Sequence, residues 1–242
     1  MKSLKQTYRA MLMDVDGTLY HQGLLRCLMA CELGLLPLRV CSWSRSKQIV
    51  QTLRWYRRVR EELREVGRPS FSLYEHQFQK TAERIGSSPS HVHAIVDEWI
   101  NRRPLKYLPL CKRQGIEAFL IWAKGRSMRI GVFSDYPVQE KIEALGLAEY
   151  VDLMLCATDR EINAFKPHVR GFLYACERWN VKPYDVLYIG DRPEVDAVGA
   201  KAIGMPCAII NGRKIRLQSN SISHMTVPSF PHLQYILSHG RF

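Results

Sequence analysis

Hydrophobic residues follow two different spacings along the chain, and the change falls near Pro104. Residues 8–13 form a short apolar run that predicts a buried strand. From Ser46 to Val66 an apolar residue recurs every three or four positions, which predicts an amphipathic helix. Similar stripes over residues 74–85 and 88–100 predict further helices. The region before Pro104 is therefore predicted to be a small helical bundle that follows one strand.

Beyond Pro104, predicted strands alternate with predicted helices. The strands are expected over residues 128–134, 151–157, 185–190 and 206–210, and the helices over 138–145, 169–179 and 194–203. This rhythm is typical of βαβ units, so we predict an α/β fold with a parallel sheet covered by helices on both faces. The helical region is then an insertion between the first strand and the rest of the sheet.

Polar residues stand where several of these strands end. The stretch MLMDVDGTLY places Asp14 and Asp16 two positions apart after the first strand. Two carboxylates in so small a space repel each other unless a cation lies between them or one holds a proton. The other strand-end residues are Ser134, Asp135, Lys166 and Asp191. Because the carboxyl ends of parallel strands share one edge, we expect all of them in one crevice, with metal or acid-base chemistry there.

Composition narrows the setting of this chemistry. The chain has 242 residues and a formal net charge of +12, which favours anionic ligands without selecting among metabolites, nucleic acid and a membrane surface. Seven cysteines without a CxxC pair are typical of a reducing compartment, and the N-terminal residues contain no apolar signal region, so a cytoplasmic location is predicted. The apolar segment 23–40 is interrupted by Arg26, Glu32, Gly34 and Pro37, so no transmembrane segment is expected.

Four motifs occur in a fixed order: DVDGTLY, GVFSDYP, FKP and GDRPEVDAVGAKAIGMP. Together they resemble the haloacid dehalogenase (HAD) superfamily, and the resemblance covers roughly residues 8–20 and 105–212. It implies a Rossmann-like, three-layer core with an inserted α-helical cap domain. The implied boundaries are residues 1–20 and 105–242 for the core and 21–104 for the cap.

The resemblance also implies catalytic roles. Asp14 would be the nucleophile that forms an aspartyl-phosphate, and Asp16 would protonate the leaving oxygen and then accept a proton from water. Lys166 would neutralise the charge that builds on Asp14 and the phosphoryl group. Family members that displace halide lack a carboxylate at the position of Asp16, so its presence indicates phosphoryl transfer.

Substrate and metal contacts follow from the same motifs. Ser134, with nearby backbone amides, would bind phosphate oxygens. Asp135 is a departure, since many relatives carry a neutral residue there, and it is predicted to contact or tune the substrate. Asp14 and Asp191, with the backbone carbonyl of Asp16, would bind Mg²⁺, which prefers oxygen ligands. Asp196 matches a further acid of the family and is predicted to support the site indirectly or through water.

The helical region is rich in arginine around Trp55 and Tyr56. The arginines are Arg54, Arg57, Arg58, Arg60 and Arg64. They could bind nucleic acid or an anionic substrate. However, Arg57 with Glu61 and Arg58 with Glu62 have the spacing of ordinary ion pairs within a helix. The prediction is a solvated helix face, and nucleic-acid binding is not favoured.

The predicted function is a Mg²⁺-dependent phosphatase for a small phosphorylated metabolite, with the cap closing over the site. A phosphomutase or phosphonate hydrolase on the same scaffold is an alternative; such relatives use particular cap residues, and Lys47 and Lys80 are the lysines of the predicted cap helices. A nucleic-acid- or membrane-surface-binding protein with an idle core is a further alternative. The substrate stays open, as does the choice between monomer and dimer.

Overall fold

A computed structural model describes residues 8–40, 43–211, 216–217 and 224–239. Its sheet has the strand order β3-β2-β1-β4-β5-β7-β6. The strands are β1 (Ala10–Met13), β2 (Arg129–Ser134), β3 (Leu153–Cys156), β4 (Val186–Gly190), β5 (Cys207–Ile210), β6 (Arg216–Leu217) and β7 (His224–Val227). Six strands run parallel, and β6 pairs antiparallel with β7 at the edge. Strand β1 lies between β2 and β4, at the position where the strand order reverses.

Helices cover the sheet and fill the segment between β1 and β2. The α-helices are α1 (Gln22–Val40), α2 (Trp43–Arg64), α3 (Leu73–Ile85), α4 (Pro89–Val96), α5 (Leu108–Cys111), α6 (Ile116–Lys124), α7 (Gln139–Ala144), α8 (Arg170–Trp179), α9 (Val198–Lys201) and α10 (Phe230–Ser238). Two segments have π-helical geometry, Asp97–Arg102 and Pro193–Ala197, and three are 3₁₀-helical, Arg103–Tyr107, Ala148–Tyr150 and Pro183–Asp185. None of the described helices is long and apolar enough to cross a bilayer.

The central strand shows why the core has three layers. All four residues of β1 are buried, and alternate side chains point to opposite faces of a strand. Met11 packs on the face that α6 and α10 cover, where Phe119 contacts Phe230, and Leu12 packs on the face that α8 covers with Phe172. A strand buried on both faces belongs in a parallel α/β sheet, so the predicted fold class is confirmed.

The predicted helical insertion is also present between β1 and β2, and residues 43–100 contain no strand. Part of it has its own small core, formed by side chains from α2, α3, α4 and the following π-helical segment. Where the chain enters and leaves this segment, Tyr20 pairs with Lys112, and the Arg113 amide donates to the Leu19 carbonyl at 2.9 Å. The division into a 21–104 cap and a 1–20 plus 105–242 core stays a prediction, because the helical packing alone does not fix its limits.

Several local predictions need correction. The predicted buried stripe includes Val66, but α2 ends at Arg64 and Val66 is 47% exposed. Tyr74, on the second predicted stripe, is 39% exposed because it lies near the start of α3, at the rim of the bundle. The helix predicted from residue 88 begins one residue later, at Pro89, and Ser88 caps it, since its hydroxyl accepts a hydrogen bond from the His91 amide at 3.2 Å.

Candidate active site

The strand-end residues converge at the carboxyl edge of the sheet. Asp14, 5% exposed, is the first residue after β1, and its amide donates to the Ile189 carbonyl of β4 at 2.8 Å. The Lys166 Nζ lies 2.6 Å from Asp14 Oδ1 and 2.7 Å from Asp196 Oδ1. The Tyr188 hydroxyl, at 3.0 Å, is a further contact of that ammonium group. A buried lysine is thus held between two carboxylates, which keeps it charged.

Two neighbouring residues fix the position of Asp14. Thr18 donates a hydrogen bond to Asp14 Oδ2 at 3.2 Å. Gly17 has φ +100°, and a Cβ atom there would lie 2.2 Å from Asp191 Oδ2. Only glycine tolerates both the backbone conformation and this close approach. The Gly17 carbonyl accepts hydrogen bonds from Arg113 at 2.7 and 3.1 Å, so the turn after β1 is held on both sides.

Asp16 has a different environment from Asp14, although only one residue separates them. Its carboxylate accepts hydrogen bonds from Lys141 Nζ at 2.6 Å, from the Ser134 hydroxyl at 2.9 Å and from the Tyr20 hydroxyl. Burial raises the pKa of Asp16, but the charge of Lys141 and these three hydrogen bonds outweigh burial and hold the pKa below its usual range. Asp16 is therefore ionised in the ligand-free site.

Asp14 and Asp191 are shifted in the opposite direction. Burial, with the charges of neighbouring carboxylates, raises the pKa of Asp14 well above its ordinary value, against the pull of Lys166. Burial and the charge of Asp196 raise the pKa of Asp191 to about 6. Carboxylates that repel each other in this way are relieved by a cation.

The same residues offer oxygen ligands for a metal ion. Asp14, Asp191 and Asp196 each present an oxygen within 4.8 Å of the others. Asp191 Oδ1 is buried without a hydrogen-bond partner among the described residues, as expected of an atom that needs a ligand. Asp196 is already occupied, because its Oδ1 faces Lys166 and Tyr188 and its Oδ2 accepts from the amides of Asp191 and Arg192. The donor set fits a hard cation on Asp14 and Asp191, with Asp196 orienting the loop.

Asp135 faces the helical insertion. One of its oxygens lies 2.7 Å from Arg64 Nη2, and the other accepts a hydrogen bond from the Lys166 amide at 3.1 Å. Arg64 also donates to the Lys166 carbonyl. Burial raises the pKa of Asp135, but the charges of Lys166, Arg64 and Arg60 overcome that effect and hold the pKa below its usual range. The Asp135–Arg64 ion pair therefore connects α2 directly to the backbone of Lys166.

A cavity of about 730 Å³ lies between this edge and the helical insertion. Its core side contains every predicted site residue: Asp14, Asp16, Ser134, Asp135, Lys166, Asp191 and Asp196. Its other side carries the arginines Arg26, Arg57, Arg58, Arg60 and Arg64, with Glu61 as the acidic residue of that side.

The predicted arginine-rich face of α2 is therefore divided in two. Arg54, Arg57 and Arg58 are exposed, whereas Arg60 is 6% exposed and Arg64 is held by Asp135. The expected Arg58–Glu62 pair is present, with a 4.0 Å separation. The expected Arg57–Glu61 pair is not among the ion pairs of the described residues, because Glu61 lies 2.8 Å from Arg64 instead.

Sequence reasoning did not identify four residues that shape the site. Lys141 and Tyr20 bind Asp16, Tyr188 contacts Lys166, and Arg113 holds the turn at Gly17. Lys141 follows the strand-end Ser134 by seven positions, in the predicted helix 138–145, and this closeness to a strand end is the signal that could have found it. Tyr188 stands in an apolar strand, which indicates a core position only, and nothing in the sequence around Tyr20 marks it as a partner of Asp16.

The fold and this site define a hydrolase with an α/β core whose carboxylates lie at the carboxyl edge of its sheet. A family model of haloacid dehalogenase-like hydrolases matches residues 8–204. The chain belongs to that family of enzymes, as the four motifs predicted.

Relatives and solved structures agree with this assignment. A glyceraldehyde 3-phosphate phosphatase from Methanocaldococcus jannaschii is 29% identical over 47% of this chain and 51% of that protein, so the match spans about half of that relative. The protein of the same description from Methanopyrus kandleri is 26% identical over 81% of each chain. The crystal structure of a HAD phosphatase from Thermococcus onnurineus has a TM-score of 0.61 at 22% identity and covers 95% of this chain and 97% of its own, which shows the shared fold. The prediction of a phosphatase-type member agrees with the names of these relatives.

Proposed function

We propose that the protein is a Mg²⁺-dependent phosphoric monoester hydrolase that works through a phosphoryl group on Asp14. The observation that carries this proposal is the buried Asp14 carboxylate, 2.6 Å from Lys166 Nζ and next to Asp191 Oδ1, which has no partner among the described residues. The nucleophile, its countercharge and an available oxygen ligand thus share one cavity. This arrangement suits attack on phosphorus, where negative charge must be neutralised at the entering oxygen.

The reaction has two displacements. In the first, an Asp14 oxygen bonds to phosphorus while the ester oxygen leaves with a proton from the protonated form of Asp16, which the second displacement regenerates. In the second, water gives a proton to Asp16, bonds to phosphorus and releases phosphate, which restores Asp14. The hydrogen bonds from Lys141, Ser134 and Tyr20 favour the ionised form of Asp16 and so support the second step most directly. Leaving groups of low pKa, which need little protonation, should therefore react fastest.

Magnesium would be held by Asp14, Asp191 and the backbone carbonyl of Asp16, and it would supply positive charge at the phosphoryl oxygens. Lys166 Nζ, 2.6 Å from Asp14 Oδ1, neutralises charge on Asp14. Asp196 holds Lys166 by a 2.7 Å contact and binds the amides that follow β4. Its place among these donors supports the indirect role that we predicted for it.

Ser134 and Asp135 have unequal support as substrate contacts. The Ser134 hydroxyl lies 2.9 Å from Asp16 and lines the same cavity as Asp14. A phosphoryl group bound in that cavity would be within its reach. Both oxygens of Asp135 already accept hydrogen bonds from the protein. We infer that Asp135 positions Lys166 and α2, in place of a direct contact with the substrate.

A small phosphorylated metabolite fits a cavity of this volume, and the named activity of the relatives supports that class. The helical insertion supplies one wall, which supports its role as a cap that excludes water. A cytoplasmic location and a monomeric or dimeric state complete the proposal, as predicted from the sequence.

The alternative functions have less support. Lys47 is exposed, and Lys80 lies 3.1 Å from Glu62, so neither lysine of the predicted cap helices lines the cavity. A Schiff-base phosphonate hydrolase that depends on either of them is disfavoured. The division of the α2 arginines also reduces the basic face that a nucleic acid or a membrane surface would contact.

The experiment is hydrolysis of an aryl phosphate with and without Mg²⁺, in the wild type and in Asp191→Asn. We expect turnover that chelator abolishes and that Asp191→Asn lowers at least about 100-fold. Glu194→Gln is the matched control, because Glu194 is an exposed acid nearby that pairs with Arg192. Full activity in excess chelator would contradict the proposal, as would equal losses in the two variants.

A further inference from the structure

Arg60 is a buried cation whose hydrogen-bonding capacity is not fully used by the described residues. Arg60 lies on α2 and is 6% exposed. Neither its Nε nor its Nη1 has a hydrogen-bond partner among the described residues. An ionised group in the interior is costly unless an opposite charge compensates it. Arg60 also lines the cavity that contains Asp14. A guanidinium in this situation indicates a binding group that a ligand completes.

The orientation of Arg60 is fixed before any ligand arrives. Its guanidinium carbon lies 3.7 Å from the ring centroid of Tyr136, so the guanidinium contacts an aromatic face. Such a contact uses the face of the guanidinium plane and not the N–H donors at its rim. Lys141 Nζ lies 4.8 Å from the same centroid and binds Asp16. One aromatic ring therefore connects Arg60 to the acid-base residue of the site.

Nearby acids do not satisfy Arg60. Asp135 is the carboxylate whose charge acts on it, but the oxygens of Asp135 are engaged by Arg64 and the Lys166 amide. Glu61 lies 2.8 Å from Arg64. The cap side of the cavity contains five arginines and one glutamate, so an anion placed there gains attraction from several charges.

We propose that Arg60 binds a second anionic group of the substrate, so that the enzyme selects phosphomonoesters that also carry a carboxylate or a second phosphate. This inference rests on the proposed function and names its substrate class. The phosphoryl group to be transferred would lie at Asp14, and the second anion would form charge-assisted, bidentate hydrogen bonds with Arg60. Arg60 is then a specificity residue on α2, separate from the groups that break the bond.

The test compares esters that differ at one end. 3-Phosphoglycerate carries a carboxylate, glyceraldehyde 3-phosphate and glycerol 3-phosphate carry neutral groups, and propane-1,3-diol bisphosphate carries a second phosphate. We expect the wild type to have a kcat/KM about 10- to 100-fold higher for the carboxylate or the bisphosphate than for the neutral esters, the range that hydrogen bonds to charged groups supply. Whichever of these two esters, the carboxylate or the bisphosphate, has the higher kcat/KM identifies the anion that Arg60 binds.

In Arg60→Met this preference should shrink to within about threefold, mainly through KM. Arg60→Lys should retain part of it, since a lysine keeps the charge without the planar fork. Arg54→Met is the matched control, because Arg54 is an exposed arginine of α2 outside the cavity lining, and it should keep the full preference.

Stability gives a second readout. Because Arg60 has no direct ion pair among the described residues, metal-free Arg60→Met should lose much less stability than Arg64→Met, which removes the 2.7 Å contact with Asp135. The inference is wrong if the wild type does not discriminate between anionic and neutral esters, if Arg60→Met lowers kcat/KM equally for both, or if that variant loses as much stability as Arg64→Met. If no ester is hydrolysed, aryl phosphate included, the proposed function itself fails.

Discussion

Buried charges are compensated differently on the two sides of the cavity. The core wall is the side formed by the carboxyl edge of the sheet, and the cap wall is the side formed by the helical insertion. On the core wall, Asp14, Asp16 and Lys166 contact partners at 2.6 to 3.2 Å, so the charges of the site are arranged before the substrate binds. On the cap wall, Arg60 is just as buried and has two donors without a partner among the described residues. The core wall is thus built for one reaction, and the cap wall is completed by the molecule that enters.

This difference separates chemistry from selection. Preorganised groups lower the barrier because they need not reorient in the transition state. A buried cation with unpaired donors is stabilised further when the right anion binds, so it discriminates between substrates. Changes on the core wall should therefore lower the rate for all substrates, and changes on the cap wall should alter which substrate is preferred.

The largest effect should come from the core wall, at Asp16. Asp16→Asn removes the proton donor and acceptor but retains Asp14, and general acid-base help is worth roughly 10²–10⁴-fold. We expect a loss of that size with alkyl phosphates and a smaller loss as the pKa of the leaving group falls. A series of aryl and alkyl phosphates measures this slope. An equal loss of kcat/KM for all leaving groups would show that Asp16 does not protonate the leaving oxygen.

The second-largest effect should come from the Arg64–Asp135 ion pair, which joins the two walls. Replacing Arg64 in Arg64→Met leaves the buried Asp135 carboxylate without its main partner, which should lower the free energy of unfolding by about 3 kcal/mol at pH 7. The pKa of Asp135 is below its usual range in the folded protein, so its contribution is complete at neutral pH and is lost as the pH falls below about 4.

Urea unfolding of the single variants Arg64→Met and Asp135→Asn and of the double variant isolates this pair. The coupling energy should be present at pH 7 and should decrease toward pH 3. Additive effects at pH 7 would show that the 2.7 Å contact does not stabilise the fold.

Replacing Asp191, on the core wall, should change the free energy of unfolding by as much as Arg64→Met or by less. Because the pKa of Asp191 is raised to about 6, ionised Asp191 opposes folding when no metal is bound. In chelator, metal-free Asp191→Asn should gain up to about 3 kcal/mol over the wild type above pH 6, and the gain should vanish below about pH 4. Added Mg²⁺ should reverse the order, because it stabilises only a protein that binds it. Melting curves at pH 5 and pH 8 that do not respond to Mg²⁺ would contradict this prediction.

The smallest effect should come from the exposed part of α2. Arg58 is 69% exposed at its side chain and lies 4.0 Å from Glu62, so Arg58→Gln should change the free energy of unfolding by less than about 1 kcal/mol. Thermal unfolding checks this directly. A larger loss would show that the exposed and buried arginines act as one network.

The core wall was predictable from the sequence because its residues stand at strand ends. A parallel sheet brings those ends to one edge, so the strand pattern alone was enough to place Asp14, Ser134 and Asp191 together. The segments α6, β7 and α10 were not predicted, since their patterns lie outside the alternation that marked the other elements.

The cap wall was not predictable in the same way. Arg60 and Arg64 stand in a run of arginines with glutamates at helical spacing, a pattern that indicated a solvated face. Whether such an arginine is exposed depends on how the helix is rotated against the core, and spacing within one helix does not determine that rotation. The Asp135–Arg64 ion pair could not be predicted for a similar reason, because Arg64 lies 71 positions earlier in the chain.

The phosphorylated intermediate would show directly which residue carries the phosphoryl group. Asp16→Asn is mixed with an aryl phosphate and Mg²⁺, quenched, and analysed by intact-mass and peptide mass spectrometry, with Asp14→Asn as the control. We predict a burst of released phenol and a phosphoryl group on the peptide that contains Asp14, and neither in Asp14→Asn. Phosphate trapped on another residue, or steady turnover by Asp14→Asn, would contradict the central claim.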